Sequence, residues 1–297
     1  MAALALVWGF SFLLIKVGLR DMSPTVLMLI RAASGCAALA VFMLATGRPL
    51  FGESWKRRII PFSVLAVTSG VVPWTAIALG EQSISSGLAS ILNATTPLWA
   101  AVLVIWMIPS ARPSALNYVG VLIGLAGVVI LVLPDLTARG FGGSIAGAVA
   151  VIIAAISYAV SALYQRKKLR DVSVYEVSVG QLAFTALIAI PVAAPSLPSL
   201  HFALPSMAAV VALGVGGSGL AYLLYYYIIN TLGPVQGAGV TILVPVTAVF
   251  WGVVLLHESI SLPIVIGMVV ILAGIVLTNV RRSASRQAAA ERDPAAA

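Results

Sequence analysis

Charged residues are scarce in this chain. They make up 9% of its 297 residues, against 61% hydrophobic, where a soluble domain carries about 25% charged residues. That scarcity excludes a soluble fold, which could not hide so much apolar surface. The means for metal chemistry are missing too: the sequence has two histidines, His201 and His257, and one cysteine, Cys36, far apart and without ligand spacing. A single cysteine excludes an intrachain disulfide and points to a buried, inert thiol. No glycine loop followed by lysine is present to cradle phosphate. No Asp or Glu falls near the middle of a long apolar run, since Glu81, Glu176 and Glu258 all stand at run ends. Intramembrane hydrolysis needs a nucleophile with a positioned partner inside the bilayer, so no enzyme and no cofactor is expected.

What the chain has in abundance is long apolar runs. Crossing a bilayer core takes roughly 20 mostly apolar residues. Runs of that order lie at 3–19, 24–46, 59–80, 83–108 and 116–134, and again at 144–165, 174–194, 206–231, 236–257 and 261–280. Lipid offers no hydrogen bonds to backbone groups, so each run must be a helix despite its β-branched content. The expectation is an all-α membrane protein of about ten transmembrane helices joined by short loops. Met1 to Leu19 has no basic stretch before it and no small-residue cleavage pattern, and reads as the first span rather than a removed signal.

The net charge of +8 would suggest nucleic acid in a soluble protein, but here it reports orientation, because Lys and Arg mark the cytoplasmic side. With the N-terminus inside, the inner loops hold Arg48, Lys56, Arg57, Arg58, Arg112, Arg166, Lys167, Lys168 and Arg170, and the tail adds Arg281, Arg282, Arg286 and Arg292. The outer loops hold only Arg20 and Arg139. Both termini are therefore expected in the cytoplasm, with residues 281–297 as a disordered tail rich in Ala, Arg and Ser.

The chain also repeats itself. Leu19-Arg20-Asp21 recurs as Leu169-Arg170-Asp171, Ser69-Gly70 as Ser218-Gly219, and Leu125-Ala126-Gly127 as Leu272-Ala273-Gly274, always 147 to 150 residues on. On this register Pro97 matches Pro245 and Gly120 matches Gly267. The constant offset divides the chain into five-helix repeats at 1–142 and 143–280. An odd number of spans turns the second copy over, giving the inverted repeat from which secondary transporters build two interconvertible faces around a midplane site.

The run from Leu243 and Pro245 through Trp251-Gly252, His257-Glu258 and Gly267 to Gly274 resembles the closing signature of the EamA domain in the drug/metabolite transporter superfamily. Its counterpart in the first copy appears in Trp8-Gly9, Arg31, Pro97 and the stretch Gly120 to Gly127. The resemblance implies a ten-helix bundle of two inverted halves, usually in the bacterial inner membrane, often exporting amino acids or related metabolites. Where the second copy has His257-Glu258 the first offers Pro109-Ser110, so any role of that Glu is not duplicated.

Aromatic rings in membrane helices usually gather at the interfaces. Trp8, Trp74, Trp99, Tyr158, Tyr222 and Trp251 instead lie within about 7 Å of their helix centres at 1.5 Å rise per residue. They are candidates to line a central cavity, against the alternative that they fill the core or face lipid. In the eighth span Gly214, Gly216, Gly217 and Gly219 precede Tyr222, Tyr225 and Tyr226, whose phenols share one helical stripe. The glycines read as a packing seam or a hinge, and Tyr227 as part of the interfacial belt. Among polar groups, Ser11 matches Ser161 and Arg31 matches Gln181. The serines could bond their own preceding turn. Arg31 cannot lose its charge, and either snorkels outward or clamps a substrate carboxylate; Lys16, nearer its span's end, is expected to snorkel. Asn93 sits one turn before Pro97, which frees a backbone carbonyl. Gly120, Gly124, Gly267 and Gly274 mark the fifth and tenth spans as packed scaffold.

The best-supported function at this stage is export of small metabolites, neutral and especially aromatic amino acids, by alternating access. The absence of central carboxylates points to facilitated movement down a substrate gradient. A lipophilic-cation or drug exporter is the alternative, with the aromatic walls acting through cation–π contacts. A non-transporting membrane scaffold would show no cavity.

Overall fold

The computed structural model describes residues 1–52, 55–108, 114–139, 143–232 and 234–292; the side chains of 135–139, 143, 226, 229–232, 234–239 and 279–292 lie outside the described part. Within it the protein is all-helical. In chain order the segments are α1 (Ala2–Gly18), α2 (Pro24–Ala45), α3 (Trp55–Glu81), α4 (Ser86–Met107), α5 (Ala115–Arg139), α6 (Gly143–Lys168), α7 (Val174–Ser199), α8 (204–232), α9 (Pro234–Leu256) and α10 (Leu262–Arg292). Among the described residues seven helices are long and apolar enough to cross a membrane, and Ala2–Gly18, Val240–Leu256 and Leu262–Thr278 are shorter apolar helices. Each apolar run of the sequence falls on one of these segments. α10 continues to Arg292, and residues 293–297 of the expected tail lie outside the described residues.

The outward surface is apolar all round: Val41, Ile60, Leu122, Leu187, Leu224 and Leu262 are among the large hydrophobic side chains left exposed. In water such a surface would drive association; in lipid it is the matching solvent. Cys36 is a free thiol of intermediate exposure rather than a buried one.

Inside, α1 packs on α9, α2 on α7 and on the middle of α8, α3 on α6, and α5 on α10. The last contact is the closest, and its glycines explain it. A Cβ on Gly274 would stand 2.5 Å from Gly124 N and 2.6 Å from Gly120 O, and one on Gly120 would stand 2.8 Å from Gly274 O. Backbone meets backbone there, as small residues permit between membrane helices. Asn117 Nδ2 donates to Thr278 O across the same seam at 2.5 Å.

Two helices depart from regular geometry at matching places. Residues Ala66–Val71 of α3 and Leu213–Leu220 of α8 form π-helical turns, which widen the helix and leave carbonyls free for other donors. Ser69-Gly70 lies in the first and its repeat, Ser218-Gly219, in the second. α4 is interrupted at Ala94-Thr95 just before Pro97, where the ring cannot donate to the preceding turn. Pro245 sits inside an unbroken α9, so the two matched prolines do not act alike.

Candidate functional site

A cavity of about 780 Å³ lies between the two halves of the chain, within the range of sites that enclose small molecules. Of the residues singled out from sequence, Trp8, Ser11, Arg31, Trp74, Asn93, Tyr158, Gln181 and Tyr222 all line it. Trp99 does not: its indole N–H donates to Thr95 Oγ1, one turn back on α4, at 3.1 Å. Trp251 also stands outside, donating to Leu6 O at 3.3 Å and packing edge-on against Phe10. The side chain of Tyr226 lies outside the described residues, while Tyr225, one position earlier, lines the cavity and packs on Trp8 at 5.4 Å. Among the described residues, none of α5 or α10 lines the space.

The π-helical turns position the site. Gly217 O, on the turn of α8, accepts the Trp8 indole N–H at 3.3 Å, and Thr68 O, on the turn of α3, accepts the Ser157 hydroxyl at 2.8 Å. Gly214 and Gly219 bring the same turn of α8 against Arg31 and Gly35 of α2, with Gly214 touching Ser34. The glycine cluster is therefore a seam that lets α8 lie on α2.

Arg31 is the electrostatic centre. It is 8% exposed, so it does not snorkel. Its Nε donates to Ser218 Oγ at 2.8 Å, and its guanidinium lies 4.0 Å above the centre of the Trp74 ring. Trp74 is itself 2% exposed, so the cation is stacked on a fixed face. A guanidinium has several more donors than one serine uses, and these belong to a cavity-lining side chain. Gln181 Nε2 donates to the Tyr222 phenol at 3.3 Å beside it. Ser11 bonds Val7 O at 3.0 Å, the local arrangement open to a helical serine.

Two buried acceptors complete the wall. Ser90 Oγ and Asn93 Oδ1, both on α4 at the cavity, have no hydrogen-bond partner among the described residues. Asn93 was legible as a polar group before a proline. Ser90, Ser69, Thr241, Gln165 and Arg166 were not singled out, because a lone hydroxyl in an apolar run or a charge near a helix end carries no signal of its own; only the packing shows which way it faces.

The cavity is open at one end and shut at the other. It runs out past Gln165, Arg166, Leu169 and Arg170 to Val172 and Val174. At the other end Ile15 and Ile77 form its floor. Behind them Lys16 Nζ donates to Glu81 O and, at 2.7 Å, to Ile84 O, so Lys16 ties α1 to the α3–α4 connection instead of snorkelling. Ser206 of α8 donates to Val17 O at 3.1 Å and to the Asp21 carboxylate, and Thr25 of α2 donates to Ser196 of α7 at 3.4 Å. Glu258, expected at a span end, reaches back to the start of α4: its carboxylate accepts from Ser86 N at 2.8 Å, Ser86 Oγ at 2.9 Å and Gly87 N at 3.2 Å. The turn that aims it passes through His257 at φ 56°, a left-handed conformation uncommon outside glycine. Among the described residues no group of His, Cys, Asp and Glu could hold a metal ion.

An apolar exterior around a polar and aromatic cavity, lined by exposed Arg166 and Arg170 at one end and by buried Ile15 and Ile77 at the other, fits a membrane transporter acting on small molecules. The sequence profile of the EamA-like transporter family matches the chain twice, at residues 1–133 and 145–280, and the chain belongs to that family of the drug/metabolite transporter superfamily. It is similar to the uncharacterized inner membrane transporter YedA of Escherichia coli K12, 28% identical over 87% of this chain and 82% of that one. It is also similar to the uncharacterized transporter YoaV of Bacillus subtilis 168, 20% identical over 93% and 94%. A crystal structure 21% identical to it superposes with a TM-score of 0.64, covering 94% of this chain and 99% of that one, which shows a shared fold. The relatives are transporters, and this chain is a multi-pass membrane protein of the same kind.

Proposed function

We propose that the protein exports neutral amino acids, aromatic ones above all, by alternating access between two inverted five-helix repeats, residues 1–142 and 143–280. The observation that carries the substrate class is the pairing, in one cavity, of a buried Arg31 guanidinium with two buried acceptors that lack donors among the described residues, Ser90 Oγ and Asn93 Oδ1. A zwitterion fits both: its carboxylate meets the arginine fork and its ammonium supplies the missing donors. The rings of Trp8, Tyr158, Tyr222 and Tyr225 then receive an apolar or aromatic side chain. A fixed positive charge disfavours a lipophilic cation in the same space.

Helix pairing supports the inverted repeat. Exchanging α1 to α5 with α6 to α10 turns the contact of α1 with α9 into that of α6 with α4, and the contact of α2 with α8 into that of α7 with α3; all four occur. The contacts of α2 with α7 and of α5 with α10 map onto themselves. The double match of one family profile and the matched π-helical turns support it as well. The excess of Lys and Arg around the open end supports a bacterial inner membrane location with both termini and the mouth in the cytoplasm.

The test is counterflow in proteoliposomes with a panel of radiolabelled amino acids and cationic dyes. Aromatic and other neutral amino acids are expected to exchange and dyes are not. Arg31→Gln is expected to cut exchange roughly 10- to 100-fold, the equivalent of about 1.5–3 kcal/mol for a hydrogen bond to a charged group. Undiminished exchange in that variant refutes the carboxylate clamp.

A further inference from the structure

We propose that Glu81 is a proton-binding site coupled to the shut end of the cavity: that end closes only over a protonated Glu81 carboxyl, and opening it releases the proton. The inference rests on the transporter reading above, because it concerns the gate of that same cavity.

Glu81 is the last residue of α3 and is 0% exposed. Neither of its carboxylate oxygens has a hydrogen-bond partner among the described residues. An ionised carboxylate so placed would forgo hydration with nothing in return, whereas a protonated one is a small neutral group. The natural counter-ion is nearby and engaged elsewhere. Lys16 Nζ donates to main-chain carbonyls, Glu81 O and Ile84 O, at the carboxyl end of a helix, where the backbone itself supplies partial negative charge. Lys16 is thus balanced without Glu81, and Glu81 is left to hold its own proton.

The other groups around it do not alter this. Arg31 on α2 and Glu258 on the α9–α10 connection are further charged groups near Glu81 among the described residues. Arg31 is bonded to Ser218 and stacked on Trp74, and Glu258 is bonded to the first residues of α4. A second negative charge beside Glu258 would be repelled. α6 meets this turn of α3 through Gly147 and Val151, which carry no charge.

Position links the proton to the gate. Ile77 and Ile15 form the cavity floor, Glu81 lies one helical turn beyond Ile77, and Lys16 follows Ile15. Opening this end means withdrawing Lys16 from the α3 carbonyls and admitting water. The carboxyl can then pass its proton to water and stand as a carboxylate beside a released ammonium. Closing reverses the transfer, taking a proton from water on that side. Acid on the side of the shut end therefore favours the state with the mouth open at Arg166, and alkali favours the opposite state. The expectation of simple facilitation, drawn from the lack of mid-span carboxylates, gives way to a transport cycle in which one conformational step is proton-linked.

The test uses the full-length protein in nanodiscs with Cys36→Ser as background. Mouth opening is read as maleimide labelling of Gln165→Cys, normalised to labelling of Thr46→Cys, an exposed position. Normalised labelling is expected to fall as pH rises, by at most about tenfold per unit for one linked proton. In Glu81→Gln, an isostere of the protonated acid, the fall is expected to vanish with labelling held high. Infrared difference spectra give a second reading: a protonated-carboxyl stretch present in the parent and lost in Glu81→Gln. A pH response that survives in Glu81→Gln, no pH response in the parent, or no such band overturns the proposal. Neither measurement needs a substrate, so an amino-acid panel that fails to exchange refutes the substrate reading while leaving this one to stand or fall by itself.

Discussion

Single side chains set what this cavity can hold. Arg31 is fixed by Ser218 on one edge and Trp74 on one face, so its position is settled before a ligand arrives and little ordering remains to be done on binding. Lysine offers a compact charge without the planar fork, so Arg31→Lys is expected to retain charge selectivity while raising the KM for exchange. Glu258 does different work. Its three accepted bonds join the start of α4 to the α9–α10 connection, about 170 residues further along the chain. A carboxylate there also faces the positive end of a helix. Glu258→Ala is expected to destabilise the protein by roughly 1.5–3 kcal/mol, read as a lower unfolding temperature by intrinsic fluorescence in detergent. An unchanged transition would show that the bonds are replaced by water at no cost.

Helices divide into those that line the cavity and those that pack outside it. α5 and α10 meet glycine to glycine, and none of their described residues lines the cavity, so they brace the bundle. A side chain placed in that seam meets backbone, which cannot rotate away: a Cβ at position 274 lies 2.5 Å from Gly124 N. Gly274→Val is expected to cost at least about 1–3 kcal/mol by overpacking, visible as lost monodispersity and a lower unfolding temperature. Gly216→Ala, with nothing within 4 Å of the added Cβ, is the control expected to be tolerated. The π-helical turns of α3 and α8 belong to the other class. They sit where Trp8, Ser157 and Arg31 need a partner on a neighbouring helix, and a helix already departing from regular hydrogen bonding has less to lose by bending there.

At the scale of the whole molecule, asymmetry is the functional fact. Two halves of similar sequence enclose one cavity, yet one end is tied by Lys16, Ser206 and Thr25 while the other runs out past Arg166 and Arg170. On the proposed orientation, with the mouth on the cytoplasmic side, a membrane-impermeant maleimide is expected to label Gln165→Cys in inside-out vesicles and not in right-side-out ones. Labelling from the outer face alone would reverse the proposed orientation. Added substrate that drives the cycle is expected to lower the labelling, because the mouth must close for the far end to open.

The sequence by itself determined the solvent, the helices and the family, because these depend on sums: the apolar content of a run, the sign of charge in successive loops, a constant repeat offset. It determined most of the wall, since an aromatic ring or an arginine far from the interfaces has few places to go. What only the tertiary structure decided depends on direction and distance. Trp99 and Trp251 are as central in their runs as Trp8, but rotation about the helix axis turns them to their own neighbours. Glu81 stands at a span end like Glu258, yet among the described residues one carboxylate has three donors and the other none. Neither the π-helical turns nor the closed floor was legible, because each arises where one helix meets another, and pairing across about 150 residues of chain is a property of the packed bundle alone.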